Sequence, residues 1–491
     1  MSSKTSTARR IVFVHPDLGI GGAERLVIDA AVGLQNLGHN VTILTSHCDP
    51  GHCFEEARDG TLDVRVRGDS IFPPSLGGRL NILFAILRQL SLVASTALVS
   101  SELKQLHPDV IVVDQLSACI PFFRLIYPQA KILFYGHYPD LRLVKHETGV
   151  RKYVKRLYRI PFDAIEGWST GCSDSIVVNS KYTRSVFRSA FQGMKTRHLK
   201  VVYPCVDTSQ NAPSYSASDI WPNKTLLLSI NRFEGKKNLD LAIKAYAGLS
   251  SSERSKAKLV LAGGYDPRNA ENAQCHKQLQ ELADSLKLTH ATFRPKDTAL
   301  TDLAADDVDL LFLLSIPNEL KMRLLQSAGL LVYTPTNEHF GIVPLEAMLA
   351  GVPVLATNTG GPLETIYHDR TGWLCRPDKV DEWTAVMRKP LIPASADRLK
   401  KMGESGRARV LAEFSQTKMA QAFDQEVQQL ARSTGPRPRI TPEWVLFALL
   451  TAVVAVVVGY GMMRLTLFLL HEPNTGKQLA DMVQTTTHSE L

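Results

Sequence analysis

Between residue 11 and about residue 205 the chain alternates short apolar runs with helical stretches, and this alternation limits the fold more than any other feature. The runs are Ile11–Val14, Val41–Thr45, Val110–Val113, Lys131–Tyr135 and Ser175–Asn179, mostly rich in Val and Ile and bordered by Gly, Pro or Asp. Runs of this kind are strands covered on both faces, and parallel neighbours need crossover helices between them. Residues 207–223 are polar and rich in Ser, Asn and Pro, and read as a linker. The alternation then restarts at Leu226–Ile230 and continues through Lys258–Leu261, Thr292–Phe293, Leu310–Leu314, Leu330–Tyr333 and Val352–Thr357, with a helical stretch at 399–432. We therefore expect two open α/β domains, 1–206 and 224–432. In such folds ligands bind at the carboxyl ends of the strands, so the chemistry belongs in the loops that follow them.

Four of those loops hold suggestive residues. After the first run, Gly19-Ile20-Gly21-Gly22 leads into Ala23-Glu24-Arg25, which opens a helix. Glycines admit a close ligand, and free N–H groups at the helix start attract phosphate; a merely tight strand–helix turn is the other reading. His137 follows the run Lys131–Tyr135, either facing a reacting sugar or satisfied structurally. In the second domain Arg232, Lys236 and Lys237 crowd one strand end and suit a diphosphate. Finally, Glu338 and Glu346 lie eight residues apart around Phe340-Gly341-Ile342. Glu338 is in a loop, and Glu346 is expected in the first turn of a helix beginning near Pro344. One carboxylate can meet a sugar and the other a ribose, with phosphate between them.

The spacing Glu338-x7-Glu346, followed by Ala-Met-Leu-Ala-Gly351-Val-Pro353, resembles the signature of the family-4 retaining glycosyltransferases of GT-B fold, with two Rossmann-like domains facing a cleft. Gly360-Gly361-Pro-Leu-Glu364, Thr371-Gly372-Trp-Leu, the pair Arg232 and Lys237 (or Lys236 in another register) and Gly21-Gly22-Ala23-Glu24-Arg25 extend the likeness over about residues 10–420. Gly136-His137-Tyr138-Pro139-Asp140, Asp114-Gln115-Leu116-Ser117 and Asn337-Glu338-His339-Phe340-Gly341 are similar to the endoplasmic-reticulum mannosyltransferases that build the dolichol-linked oligosaccharide. The resemblance implies a donor, GDP-mannose, held by the second domain. Arg232 and Lys237 would neutralise the leaving diphosphate, backbone at Phe340, Gly341 and Ile342 would assist, Glu346 would hold the ribose and Glu338 the mannose. His137, Gly21 and Gly22 would complete the site from the first, acceptor-side domain. The implied acceptor is a dolichol-diphosphate-linked oligosaccharide. It would gain an α-1,3- and then an α-1,6-linked mannose on the cytosolic face, beside other transferases of the same assembly line. Another family-4 transferase with a lipid-linked acceptor, or a silent membrane scaffold, are the competing readings.

No cofactor is implied. Asp307-Val308-Asp309 fits a metal-binding pattern but precedes a strand, away from the basic loop, so no metal is expected. The seven cysteines include no Cys-x-x-Cys pair, which suits a reducing compartment. Formal charge is +8 without a long basic run, which disfavours nucleic acid and fits phosphate ligands or an anionic lipid surface. Beyond a basic linker at 433–443, Trp444–Met463 is free of charge and, at 1.5 Å per residue, reaches ~30 Å, a bilayer core. Residues 444–470 are expected to span the membrane once, or to form a hairpin turning at Gly459–Gly461. A polar tail, 471–491, follows. Arg432, Arg437 and Arg439 precede the span, which predicts cytosolic domains. A second apolar stretch, 80–99, gathers Asn81, Arg88, Gln89, Ser91, Ser95 and Thr96 within an arc of about 160°. It is expected either to lie in the membrane interface or to pack on a sheet.

Overall fold

The computed structural model describes residues 7–446, apart from 70, 76–79, 143–149, 209–220, 222, 295–307, 436, 439, 441–442 and 444–445. Of the expected membrane segment 444–470, all but Leu446 lies outside the described residues, as does the tail.

Seven strands form the first sheet: β1 (Arg10–Asp17), β2 (Asn40–His47), β3 (Asp63–Val66), β4 (Val110–Asp114), β5 (Lys131–Gly136), β6 (Ser175–Val178) and β7 (Leu199–Val201). The second sheet holds β8 (Thr225–Ile230), β9 (Ala257–Gly263), β10 (His290–Phe293), β11 (Leu310–Leu314), β12 (Ala328–Tyr333), β13 (Val354–Thr357) and β14 (Gly372–Cys375). Their orders are β3-β2-β1-β4-β5-β6-β7 and β10-β11-β9-β8-β12-β13-β14. All paired strands are parallel. The central strands Val110–Asp114 and Leu310–Leu314 are buried throughout, which explains their unbroken apolar runs. Strand order reverses between β1 and β4 and between β8 and β12, the places where open parallel sheets bind ligands.

Two expectations need correcting. The helix Gln416–Arg432 was assigned with residues 224–432, yet its apolar stripe of Met419, Phe423, Val427 and Leu430 packs into the first domain's core. Phe423 lies 5.4 Å from Tyr135 in a stacked arrangement, and Val206 bridges Ser415 where the chain crosses back. Only the first sheet offers that stripe an apolar face. Trp221, placed in the linker, is buried in the second core beneath Lys258, whose Nζ is 5.3 Å from the ring. An indole is too large an apolar surface to leave in a solvated connector.

For residues 80–99 the structure shows the packing alternative. Helix Asn81–Ala94, continued by a wider turn at Ser95–Val99, is the one helix among those described that is long and apolar enough to cross a membrane. Half of it is buried within the fold. Its polar residues mostly face inward. Arg88 bonds Asp17 at 2.8 Å, Gln89 donates to Leu116 O at 2.6 Å and accepts from Cys119 N at 3.1 Å, and Thr96 is fully buried. Leu98 and Val99 are instead 65% and 83% exposed. The polar arc stitches the helix to the sheet ends, and apolar surface is turned outward.

Candidate active site

At the β8/β12 reversal two loops are tied together. Thr334 Oγ1 donates to Lys237 O at 2.7 Å, and Lys237 Nζ pairs with Glu338 Oε2 at 2.6 Å. Lys237 ends a short turn, Gly235–Lys237, closed by Asn238 in the left-handed region at φ 53°. Burial alone would push the Glu338 carboxyl upward, but the Lys237 charge outweighs it and holds the group below its ordinary value. Arg232 and Lys236 are largely exposed and lie 3.8 and 2.9 Å from Glu234. Of the two lysine registers, Lys237 is the one that faces the carboxylate.

Phe340 is buried and stacks on Tyr203, with ring centroids 5.6 Å apart. Gly341, at φ 87°, turns the chain directly into helix Ile342–Leu349. The helix therefore starts two residues before Pro344, and Glu346 falls in its second turn rather than the expected first. Its Oε1 accepts from Lys321 Nζ at 2.8 Å.

On the first domain's side, Gly21 caps helix Gly22–Asn36 without a side-chain bond, and the Glu24 carboxylate folds back over Gly21 where a Cβ would otherwise sit. His137 follows β5, with Nε2 2.9 Å from Asp114 Oδ1. The other Asp114 oxygen lies 2.8 Å from His15 Nδ1. Burial works against charge on His15, but the hydrogen bond to Asp114 and the nearby Glu24 carboxylate prevail, and its pKa is pushed up to about 9. Burial likewise opposes the Asp114 charge; the electrostatic and hydrogen-bonding contacts with the His137 and His15 imidazoles reverse this, to about 2.

Direct contacts join the two halves. The rings of Tyr138 and His339 stack with centroids 3.7 Å apart. Their sequence neighbours are His137 and Glu338, so the stack joins the loops that carry the two expected reacting-site residues. Burial holds His339 down at about 4, keeping it neutral against the tyrosine. Ser180 Oγ donates to His339 O at 2.6 Å. Glu364 accepts from the N–H groups of Lys181 and Tyr182, at 2.8 and 2.7 Å, at the start of helix Lys181–Ala190. A carboxylate on a helix N-terminus is favourable to both.

The family profile for Glycosyltransferase Family 4 matches residues 20–210, and that for Glycosyl transferases group 1 matches 216–305 and 299–409. The alpha-1,3/1,6-mannosyltransferase alg-2 of Neurospora crassa is 51% identical over 460 residues, covering 92% of this chain and 96% of that protein. The chain belongs to this mannosyltransferase family. The corresponding Schizosaccharomyces pombe protein is 44% identical over 94% of this chain and 91% of its own. Among solved structures, a sucrose-phosphate synthase from Thermosynechococcus elongatus superposes with a TM-score of 0.65 at 19% identity, covering 86% of this chain and 98% of its own. A glycosyltransferase from Rickettsia africae gives 0.61 at 17%, covering 87% and 100%. At such identities the likeness is one of fold, and the fold is that of a two-domain GT-B glycosyltransferase.

Sequence reasoning left several residues of this region without a role: His15, Asp114, Lys321, Tyr333, His339 and Glu364. A usable signal existed for Asp114, an acid closing the wholly apolar run Val-Ile-Val-Val. Asp309 accepts from Thr289 N and Oγ1 at 3.1 and 3.0 Å, at the opposite end of its sheet from the cleft. Its partner in the metal-binding pattern, Asp307, is outside the described residues.

Proposed function

We propose that this mannosyltransferase takes mannose from GDP-mannose and adds it to a lipid diphosphate bearing one mannose and two N-acetylglucosamines, first in α-1,3 and then in α-1,6 linkage. The observation that carries the reading is the Lys237–Glu338 pair at the β8/β12 reversal, joined to the loop of His137 by the Tyr138–His339 stack. Arg232 and Lys237 receive the diphosphate, and the partly exposed glycine loop Gly21–Gly22 approaches it from the other domain. Glu346 reaches the ribose once Lys321 is displaced. The acceptor hydroxyl attacks C1 on the face the diphosphate leaves. A C–O bond forms as the C1–O bond to phosphate breaks, and the acceptor proton passes to the departing phosphate oxygen. Configuration is retained, and Glu338 stabilises the developing positive charge without forming a bond to carbon, unlike the nucleophile of a retaining glycosidase. The domains are those read from the sequence, with helix Gln416–Arg432 returning to the first. Residues 444–470 anchor the chain in the endoplasmic-reticulum membrane with both domains cytosolic. Dolichol carries the acceptor.

The test uses the purified full chain with GDP-mannose, the synthetic acceptor lipid and EDTA, and counts added hexoses by mass spectrometry. Two are expected. One would assign the second linkage elsewhere, and none with GDP-mannose but some with another nucleotide sugar would sink the donor.

The outward apolar surface of Leu98 and Val99 supports contact between the acceptor-side domain and the bilayer. In a chain ending at residue 443, without the expected anchor, Leu98→Glu/Val99→Glu should lower association with anionic liposomes at least about threefold, since each substitution places a charge where apolar area would be buried. Flotation of variant and wild type decides it, and equal binding would remove this face from the interface.

A further inference from the structure

The first domain's strand reversal holds a buried polar chain to which the transfer mechanism above gives no part. Asp114 closes β4 and is 1% exposed. Val113 pairs with Val14 on one side and Asp114 with Tyr135 on the other, so His15, Asp114 and His137 leave three adjacent strands at nearly one level. The two imidazoles grip opposite oxygens of one carboxylate, at 2.8 and 2.9 Å. His15 has no exposed side-chain surface, and its Nε2 is unpartnered, 4.0 Å from Glu24 Oε1. Gln115, directly after Asp114, sits at φ 65°, a conformation uncommon outside glycine. Its N–H donates to Tyr135 O at 3.1 Å, so a strained turn is clamped to β5 beside the carboxylate.

An ionised carboxylate only accepts hydrogen bonds. Both imidazoles must therefore present an N–H to Asp114, His15 from Nδ1 and His137 from Nε2. A neutral His137 then carries its lone pair on Nδ1. That atom has no hydrogen-bond partner among the described residues, and the side chain is 19% exposed.

We propose that Asp114 is a positioning residue for His137: it fixes the ring and its Nε2–H form, so that Nδ1 offers an acceptor to a sugar hydroxyl in the cleft, while His15 anchors the carboxylate from behind. The inference rests on His137 facing the reacting sugar. It adds what sets that histidine's polarity, and it makes His15 part of the support.

The experiment is a double-mutant cycle on the full chain in detergent, with GDP-mannose and the acceptor lipid, each variant first checked for GDP binding. Asp114→Ala should lower kcat roughly 10²-fold, the scale on which losing the orienting partner of an active-site histidine acts, with the KM for GDP-mannose within about threefold. In a His137→Ala background the same substitution should cost almost nothing further. Asp114→Leu, which removes both acceptor oxygens while filling the space, gives the same comparison if the alanine variant does not fold. A folded variant with wild-type kcat, or a loss that adds in full to that of His137→Ala, overturns the inference. Wild-type turnover in His137→Ala instead sinks the reading of His137 itself and takes this inference with it.

Discussion

Glu338→Gln is expected to lower mannosyl transfer about 10³-fold while GDP affinity stays level or rises. Removing a preorganised charge from a water-poor site costs on the order of 3–4 kcal/mol of transition-state stabilisation. Glu338 is poised for that role, being half-enclosed and ionised because Lys237 lies 2.6 Å away. Glutamine keeps the shape and removes the charge. It also frees the Lys237 ammonium from its partner, so the positive field offered to the donor diphosphate strengthens. Lys237→Met has the opposite signature. It should weaken GDP binding roughly tenfold or more, because a charge-assisted contact to phosphate is lost. It should also reduce turnover, because the Glu338 carboxyl, without its cation, is left with burial, which favours the neutral form. Titration of GDP against each variant, alongside single-turnover rates, separates the two. Equal losses of GDP affinity in both would mean that Glu338 binds the nucleotide part, and would sink its assignment to the sugar.

The pair also shows where the sequence was sufficient. Its members are 101 residues apart in the chain, and no periodicity links them. What linked them was the position of each motif directly after an apolar run, combined with the rule that open parallel sheets bind ligands where their strand order reverses. All eleven runs fall on strands, and in ten of them, all but the half-exposed edge strand His290–Phe293, burial writes itself into composition. The edge strands Asp63–Val66, Leu199–Val201 and Gly372–Cys375 escaped because they are short, and the first two are only partly covered. Helix Gln416–Arg432 was legible as a helix but not as part of the first domain. An apolar stripe says that a partner exists, not which of two sheets supplies it. The inward polar arc of residues 81–99 left both readings open for a related reason. Polarity usually marks solvent, but here Arg88 and Gln89 satisfy backbone and carboxylate groups at the sheet's ends. His15 and Asp114 were invisible as a pair because their meeting depends on strand register across β1 and β4, which sequence spacing does not encode.

Gly361→Ala should lower activity roughly 10²-fold, although residue 361 contributes no functional group. A Cβ there would overlap the Phe340 carbonyl, its carbon and its Cα, all backbone, so no side-chain rotation relieves the clash. The same short segment donates Gly361 N–H to Glu338 O at 2.7 Å and passes through Gly360 at φ 68°, where a Cβ would stand 2.5 Å from that same oxygen. The loop carrying Glu338 is therefore held from behind by two residues that must lack side chains. Filling that space pushes the loop toward the cleft, and a displacement near 1 Å at a reacting centre is enough for roughly 10²-fold in rate. The substitution should also lower thermal stability by about 1–3 kcal/mol, the usual cost of overpacking. Gly235→Ala is the matched control. It lies in the opposite loop beside Lys237, with open space where the Cβ would go, and should lose less than about threefold in rate. Rates and melting curves of the two alanine variants, measured side by side, test whether the cleft depends on this backing. Similar behaviour in both would show that the loop bearing Glu338 yields without consequence.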